Sequence, residues 1–245
     1  MSKIKVLVNG AKGRMGSETV RAVLKEADLE LVGQTDIGDN LAEAIAETKA
    51  GVVVDFTHPS SAMKNVKTIL QGKAHAVIGT TGLTDGNLAE IKKLCSKYRV
   101  NCIVAPNFAI GAVLMMKFAR EASHYMPEVE IVELHHDQKA DAPSGTAIKT
   151  AQLILGDRKN VRRKGLKTIE KVKNARGGQM GNIQIHSVRL QGLVAHQEVL
   201  FGGVGQTLKI RHDSISRESF MPGVVMAVRK VKKIKGLVYG LENLL

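Results

Sequence analysis

Apolar and polar positions in the first 105 residues follow two alternating patterns. Short apolar runs predict β-strands at 4–8, 29–35, 52–56, 74–79 and 100–105. Segments with helical spacing lie between them, at about 14–27, 41–48, 60–70 and 85–98. Strands that alternate with helices form βαβ units around a parallel sheet. The first part of the chain is therefore predicted to be an α/β domain.

The pattern changes after Pro106. Helices are predicted at 111–125 and 144–155, with a strand at 129–135 between them. Three strand-like runs then follow without intervening helices, at 183–190, 197–201 and 207–212, before a last helix at 219–231. Consecutive strands of this kind favour an antiparallel or mixed sheet. We therefore expect a second, α+β domain, with the clearest boundary at 106–110.

The composition is that of an ordinary globular protein. The chain has 245 residues, of which 44% are hydrophobic and 24% charged, enough for one large domain or two small ones. No apolar run approaches the length of a membrane span. Lys3 and Lys5 interrupt the apolar core that an N-terminal signal peptide would need. We expect a cytoplasmic protein with no membrane partner.

The net charge of +13 raises the possibility of a nucleic-acid partner. Residues 158–176 hold nine Lys or Arg and one acid, so this segment alone supplies +8 of that charge. Aromatic residues make up only 3% of the chain and Trp is absent, which leaves no stacking platform for single strands. The segment also lacks the features of a recognition helix. We favour a solvated basic loop, without nucleic acid.

A glycine-rich turn follows the first predicted strand. The sequence Gly-Ala-Lys-Gly-Arg-Met-Gly at 10–16 spaces three glycines three residues apart, between a strand and a helix. Glycine lets the chain turn sharply and approach a diphosphate that a Cβ would obstruct. Free N–H groups at the helix start then face the anion. This context predicts a dinucleotide site, against the alternative of a turn that only packs.

An acidic residue stands where a dinucleotide site needs one. Asp36 ends the second predicted strand, at the distance from the glycines expected for an acid that binds the adenosine ribose. A carboxylate there repels the additional phosphate of NADP, and no Lys or Arg lies between Gln34 and Asn40. Lys12 could offset part of that repulsion. NADH is therefore the preferred cofactor, with NADPH as the alternative.

Two further loops end predicted strands on the same edge of the sheet. Gly-Thr-Thr-Gly at 79–82 follows the fourth strand, and Ala-Pro-Asn-Phe at 105–108 follows the fifth. Ligands of open α/β sheets bind beyond the carboxyl ends of the strands. Small hydroxyl residues and an Asn at this edge suit the nicotinamide half of a dinucleotide, although isolated tetrapeptides of this kind are more often simple turns.

Potential acid–base groups cluster between the strand predicted at 129–135 and the helix predicted at 144–155. His135, His136 and Lys139 end a strand, and Ser144 and Thr146 open a helix. The ammonium group and the helix N-terminus suit carboxylate binding, and a histidine can supply a proton near neutral pH. No Cys lies near, so no metal is predicted. Ser144 alone would also suit a simple N-cap.

Taken together, these motifs resemble the 4-hydroxy-tetrahydrodipicolinate (dihydrodipicolinate) reductases of diaminopimelate and lysine biosynthesis. The similarity covers nearly the whole chain and includes DFTHP at 55–59 and RHDSISRESFMPG at 211–223. Its most specific part is ELHHDQKADAPSGTA at 133–147. Such an enzyme reduces a cyclic imine dicarboxylate with NAD(P)H. Ile37 departs from family members that carry Arg beside the ribose-binding acid, which strengthens the preference for NADH.

The resemblance implies roles for individual residues. His135 would be the general acid, and Lys139 a second proton donor and carboxylate anchor. His136 would contact the substrate, and Ser144, Gly145 and Thr146 would bind its second carboxylate. The implied cofactor contacts are Gly10, Ala11, Lys12, Gly13, Arg14, Met15, Asp36, Gly79, Thr80, Thr81, Ala105, Pro106, Asn107 and Phe108. Arg217 and Phe220 match a segment that approaches the cofactor, without an assigned role.

The resemblance also implies the domain plan. Residues 1–107 and 217–245 would form a Rossmann-like dinucleotide-binding domain completed by the C-terminal helix. Residues 108–216 would form a substrate-binding domain whose sheet builds a homotetramer.

Three alternatives stay open at this point. Another Rossmann reductase of an amino-acid-derived imine or aldehyde would share the glycine turn and Asp36 but would not require the His-His-x-x-Lys motif. A nucleic-acid-binding protein would use the basic segment. A catalytically inactive dinucleotide sensor would keep the turn, although the intact proton donors argue against it.

Overall fold

The computed structural model describes residues 2–157 and 169–245. The described chain forms two compact units. Unit 1 comprises Met1–Ile110 and Arg217–Leu245, and unit 2 comprises Gly111–Ser216. The first boundary thus falls after Ile110, a few residues beyond Asn107.

Strands and helices alternate through the first part of unit 1. The elements are β1 (Ile4–Asn9), α1 (Arg14–Lys25), β2 (Leu29–Thr35), α2 (Leu41–Thr48), β3 (Val52–Asp55), α3 (Pro59–Gln71), β4 (His75–Ile78), α4 (Asp85–Tyr98) and β5 (Cys102–Val104). Unit 2 follows with α5 (Ile110–Ala122), β6 (Glu128–His135), α6 (Gly145–Asp157), β7 (Gly178–Met180), β8 (Ile183–Arg189), β9 (Ala195–Gly203) and β10 (Gln206–Ser214). The chain returns to unit 1 through a short 3₁₀ helix (Arg217–Phe220), α7 (Met221–Lys230) and β11 (Leu237–Tyr239).

The six strands of unit 1 form one parallel sheet in the order β11-β5-β4-β3-β1-β2. Its central strands are apolar and buried throughout; all of Val52, Val53 and Val54 in β3 are inaccessible to solvent. Such continuous apolar runs are typical of strands covered on both faces. Because all strands are parallel, their carboxyl ends, and the loops that follow them, lie along one edge. The predicted α/β class is confirmed.

Unit 2 is built on a five-stranded sheet in the order β10-β9-β6-β8-β7. β6 and β8 run parallel, whereas β9 is antiparallel to both of its neighbours, β6 and β10. The sheet is therefore mixed, as predicted. Gln197 of β9 donates to Thr150 of α6 (2.8 Å), so α6 covers the face that carries the buried Ile131 and Val199.

Two strands in the structure were not predicted. β11 contains only three residues and pairs with β5 at the edge of the parallel sheet, and β7 pairs with β8 at the edge of the mixed sheet. Three residues are too few to produce a clear period of two. In addition, β11 pairs with β5, which is distant in sequence, so no local pattern predicts this pairing.

Candidate active site

The glycine turn of unit 1 lies in close contact with neighbouring backbone. Gly10 has a positive φ of 80°, and a Cβ there would lie 2.5 Å from the carbonyl oxygen of Phe56. A Cβ at Gly16 would lie 1.9 Å from the carbonyl oxygen of Gly10. Neither position can hold a larger residue without movement of the main chain.

The backbone amides of the turn divide into two groups. Gly10 and Ala11 both donate to the carbonyl of Thr35, and Gly13 donates to Gly10. The amides of Arg14 and Met15 begin α1 and have no acceptor within the helix. Gly13, at the N-cap, has no side chain to accept from them. An anion at this helix N-terminus would therefore meet the amides of Arg14 and Met15.

Asp36 is attached directly to the glycine turn. Its Oδ2 accepts a hydrogen bond from the Lys12 amide (2.7 Å), and its Oδ1 accepts one from the Ile37 amide (2.8 Å). The hydrogen bond from Ile37 is the largest cause that lowers the pKa of the carboxyl group, and the bond from Lys12 is the next largest. An ionised carboxylate has about four lone-pair positions, so acceptor sites for ribose hydroxyls remain. Ile37 is fully exposed and brings no positive charge.

Asp55, at the end of β3, connects several strand ends. It has no exposed surface and accepts hydrogen bonds from Asn9 (2.7 Å), Asn65 (3.0 Å), Thr57 (2.9 Å) and Thr80 (2.5 Å). Asn9 in turn accepts from Thr35 at the end of β2. A polar network thus joins the carboxyl ends of β1, β2, β3 and β4.

The nicotinamide-side loops are only partly accessible. Thr80 is buried and its hydroxyl group bonds to Asp55, so the small hydroxyl predicted to face a ligand points into the protein instead. Thr81 and Pro106 are exposed, and Gly79 and Asn107 are partly exposed. Ala105 and Phe108 are buried, and Phe108 packs edge-on against Phe56 with ring centroids 5.7 Å apart. The Phe108 side chain therefore packs into the protein interior and not at the surface of the loop.

In unit 2, Glu133 lies at the centre of the His-His-x-x-Lys cluster. It has no exposed surface. His135 Nδ1 lies 2.5 Å from Glu133 Oε2. Arg189 holds both carboxylate oxygens, at 2.9 and 2.8 Å, and the Ser144 amide bonds to Oε1 at 3.2 Å. One carboxylate thus joins three segments of the unit.

The partners of Glu133 determine its charge. Burial raises the pKa of a carboxyl group, but hydrogen bonds from His135, Arg189 and Ser187 outweigh burial and lower the pKa of Glu133 to about 2. Glu133 is therefore ionised at neutral pH. An ionised carboxylate can only accept hydrogen bonds.

Lys139 lies in the turn that follows β6. Its Nζ donates to Asp141 Oδ1 (2.6 Å), and this bond is the main reason why the pKa of Asp141 is lowered. The Lys139 amide donates to the carbonyl of His136, whose own side chain is partly exposed. A substrate carboxylate that binds Lys139 would have to compete with Asp141.

Ser144 caps α6, as its position predicts. Its Oγ accepts from the Ala147 amide (3.2 Å), and its own amide donates to Glu133. Ser144 is buried, whereas Gly145 is exposed and begins the helix. The Gly145 amide, at the first position of α6, has no acceptor within the helix. The positive end of this helix is therefore placed beside the cluster.

Both halves of the chain match models of one protein family. The model for the N-terminal part of dihydrodipicolinate reductases matches residues 4–108, and the model for the C-terminal part matches residues 111–245. The chain belongs to the dihydrodipicolinate reductase family. The resemblance inferred from the motifs is confirmed.

Individual family members align over the full length. A 4-hydroxy-tetrahydrodipicolinate reductase of Desulfitobacterium hafniense is 50% identical and covers 100% of both chains. A relative of the same name from Listeria innocua is 48% identical over 99% of this chain and 100% of its own. The structure of a dipicolinate-bound dihydrodipicolinate reductase from Paenisporosarcina sp. TG-14 has a TM-score of 0.90 at 44% identity, and covers 99% of this chain and 100% of that chain.

Two residues central to the site of this family member were not singled out from the sequence. Glu133 lies within the motif at 133–147 without a predicted role of its own, and no motif includes Arg189. Arg189 pairs in register with His135 across the parallel β6 and β8. The sequence does not show that these strands are neighbours, so no local signal marks Arg189.

Two further features of the described residues concern metal binding and membrane insertion. Within residues 2–157 and 169–245, no group of three or more His, Cys, Asp or Glu is arranged to hold a metal ion. In the same part of the chain, no helix has the length and apolarity needed to cross a membrane.

Residues 158–168 of the basic segment lie outside the described residues. In the remainder, Arg176 pairs with Glu130, and Glu170 accepts from the amides of Asn174 and Arg176.

Proposed function

We propose that this chain reduces 4-hydroxy-tetrahydrodipicolinate to tetrahydrodipicolinate with a nicotinamide cofactor, in the diaminopimelate route to lysine. The observation that carries the proposal is the match of both halves of the chain to dihydrodipicolinate reductases. The glycine turn and the His-His-x-x-Lys cluster supply the two kinds of group that this reaction needs.

The dinucleotide is assigned to unit 1. Its diphosphate binds at the N-terminus of α1, on the amides of Arg14 and Met15, with Gly10–Gly13 forming the turn beneath it. Asp36 accepts from the adenosine ribose. The main chain of Gly79, Thr80 and Thr81, with that of Ala105, Pro106, Asn107 and Phe108, borders the nicotinamide, because the Thr80 hydroxyl and the Phe108 ring are turned inward. When bound, the cofactor supplies the hydride.

NADH is the preferred form of the cofactor. Both oxygens of Asp36 are held by backbone amides, so the carboxylate cannot easily turn away from an incoming 2′-phosphate. Ile37 offers no charge to that phosphate. The side chain of Lys12 is exposed close by and lets NADPH serve more weakly.

The substrate is assigned to unit 2. Negative charge develops on the ring as it accepts the hydride, and His135 neutralises it by giving a proton. Lys139 exchanges Asp141 for one substrate carboxylate and acts as a second proton donor. His136 contacts the substrate. The α6 start at Ser144, Gly145 and Thr146 binds the other carboxylate. Preorganised groups of this kind stabilise the transition state because they need no reorientation.

A homotetramer built through the mixed sheet completes the proposal. Val129 and Ile131 on one face of β6 are buried, whereas Val132 and Leu134 on the other face stay partly exposed. A second copy of the chain would cover these aliphatic side chains. Sedimentation analysis at micromolar concentration should give the mass of four chains, and a monomer would contradict this part of the proposal. We place the enzyme in the cytoplasm, where its cofactor and substrate are found.

The reaction can be tested by following NADH and NADPH oxidation with substrate generated from pyruvate and aspartate semialdehyde by the preceding synthase. Oxidation should depend on both precursors and be faster with NADH. Omission of each precursor in turn is the control. A folded protein that binds dinucleotide but oxidises neither cofactor would overturn the assignment.

A further inference from the structure

The short contact between Glu133 and His135 defines which ring nitrogen carries hydrogen. Glu133 is ionised and can only accept, so the hydrogen in the 2.5 Å contact belongs to His135 Nδ1. In the neutral ring the second nitrogen, Nε2, is then unprotonated, and it takes up the proton when the ring becomes charged. Any proton that His135 transfers therefore passes through Nε2.

Arg189 fixes the position of Glu133. Its guanidinium group contacts both carboxylate oxygens, in the bidentate geometry that is among the strongest pairings of side chains. The same group donates to the carbonyls of Lys139 (3.3 Å) and Asp141 (2.7 Å). Arg189 thus ties the carboxylate that holds His135 to the turn that carries Lys139.

From this geometry we propose that Glu133, held by Arg189, is a positioning residue for the proton transfer. It fixes His135 as the Nδ1–H tautomer and directs Nε2 to the substrate. The inference rests on the proposed function for its effect on turnover, but the tautomer itself does not depend on catalysis. A carboxylate behind a histidine has the same task in other enzymes, where it sets ring orientation and tautomer.

Unit 2 contains a second cluster of the same composition, which provides a matched control. Glu130 of β6 bonds to His186 Nε2 (2.8 Å) and pairs with Arg176. Glu130 precedes Glu133 by three positions, so the two side chains lie on opposite faces of the sheet. Glu130 is partly exposed, whereas Glu133 is fully buried.

The first test compares Glu133→Gln with Glu130→Gln in steady-state kinetics. Gln keeps the shape of Glu but removes the charge that selects the tautomer. Glu133→Gln should lower kcat by about 10- to 100-fold, as loss of such orienting partners typically does, with little change in the KM for NADH. Glu130→Gln should leave kcat unchanged. Equal kcat values in both folded variants would overturn the proposal.

The second test needs no variant and is unaffected if Glu133→Gln fails to fold. Nitrogen chemical shifts of the His135 ring, recorded by NMR on the wild-type protein at a pH where the ring is neutral, report which nitrogen carries hydrogen. The proposal requires hydrogen on Nδ1. Hydrogen on Nε2 would overturn it, whether or not the protein proves to be a reductase. Absence of reductase activity with hydrogen on Nδ1 would instead contradict only the proposed function.

Discussion

Each unit contains a carboxyl group that is fully buried at the candidate site, yet the two are satisfied differently. Asp55 of unit 1 is bound by Asn and Thr side chains and by the Thr57 backbone amide, all of them neutral. Glu133 of unit 2 is bound by Arg189, His135, Ser187 and a backbone amide. Neither residue has exposed surface. The two environments differ in the charge and proton affinity of the partners.

This difference separates binding from chemistry. Amide and hydroxyl donors do not change charge near neutral pH, so the Asp55 network joins the strand ends without a group that takes up or releases a proton there. A histidine against an ionised carboxylate can gain and lose a proton. The comparison supports the proposal that unit 1 holds the dinucleotide on a fixed platform and that unit 2 supplies the groups that react.

The largest effect is expected where the charged cluster meets the substrate. His135→Gln should lower turnover by about 10²- to 10⁴-fold, the range for loss of a general acid, because Gln cannot supply the proton. NADH binding should change little, since its proposed contacts lie in unit 1. His186→Gln removes the other histidine that bonds to a β6 glutamate and serves as the control. Normal turnover of His135→Gln would remove His135 from this role.

Removal of Arg189 should have the largest effect on stability. Arg189→Met leaves the buried Glu133 without its cationic partner and should lower the free energy of unfolding by about 3–5 kcal/mol. Arg120→Met is the control, because Arg120 pairs with Asp157 at the surface, where ion pairs contribute about 0–1 kcal/mol. Urea denaturation measures both losses. If both variants lost a similar, small amount of unfolding free energy, the burial of Glu133 would not increase the contribution of its ion pair to stability.

Acid should weaken the unit 2 cluster in a defined window. The pKa of Glu133 is about 2 in the folded protein against an ordinary 4.5. A depressed folded-state pKa adds stability that is fully present above pH 4.5 and is lost as the pH falls towards 2. Glu133→Gln lacks this contribution, so its stability deficit relative to wild type should shrink across that window. A deficit that stays constant in denaturation curves at several pH values would contradict the assigned shift.

A smaller effect is expected in the Asp55 network. Asn65→Leu removes one neutral donor, while Asn9, Thr57 and Thr80 continue to bind Asp55. Asn65 Nδ2 donates to Asp55 (3.0 Å) and to Thr57 Oγ1 (2.9 Å), so two hydrogen bonds are lost and the free energy of unfolding should fall by about 1–3 kcal/mol. Urea denaturation beside Arg189→Met gives the direct comparison. Equal losses would remove the distinction between the two carboxyl environments.

The sequence predicted what depends on local pattern. The alternation of apolar strands and helices, the glycine turn and the Ser144 cap of α6 all depend on neighbouring residues, and the structure contains each of them. Arg189 could not be found in this way, because its role depends on pairing between β6 and β8. The inward turn of Thr80 depends likewise on Asp55, which lies 25 residues earlier. Hydroxyl type alone does not reveal orientation.

The central claim is that unit 1 binds the dinucleotide and unit 2 the dicarboxylate. Calorimetric titration of NADH, and of dipicolinate with NADH saturating, into wild type, Asp36→Ala and Lys139→Met tests it most directly. Each change removes a hydrogen bond to a charged group, so affinity should fall about 10- to 100-fold. Asp36→Ala should weaken only NADH, and Lys139→Met only dipicolinate. Weaker NADH binding in Lys139→Met, with unchanged binding in Asp36→Ala, would contradict the account.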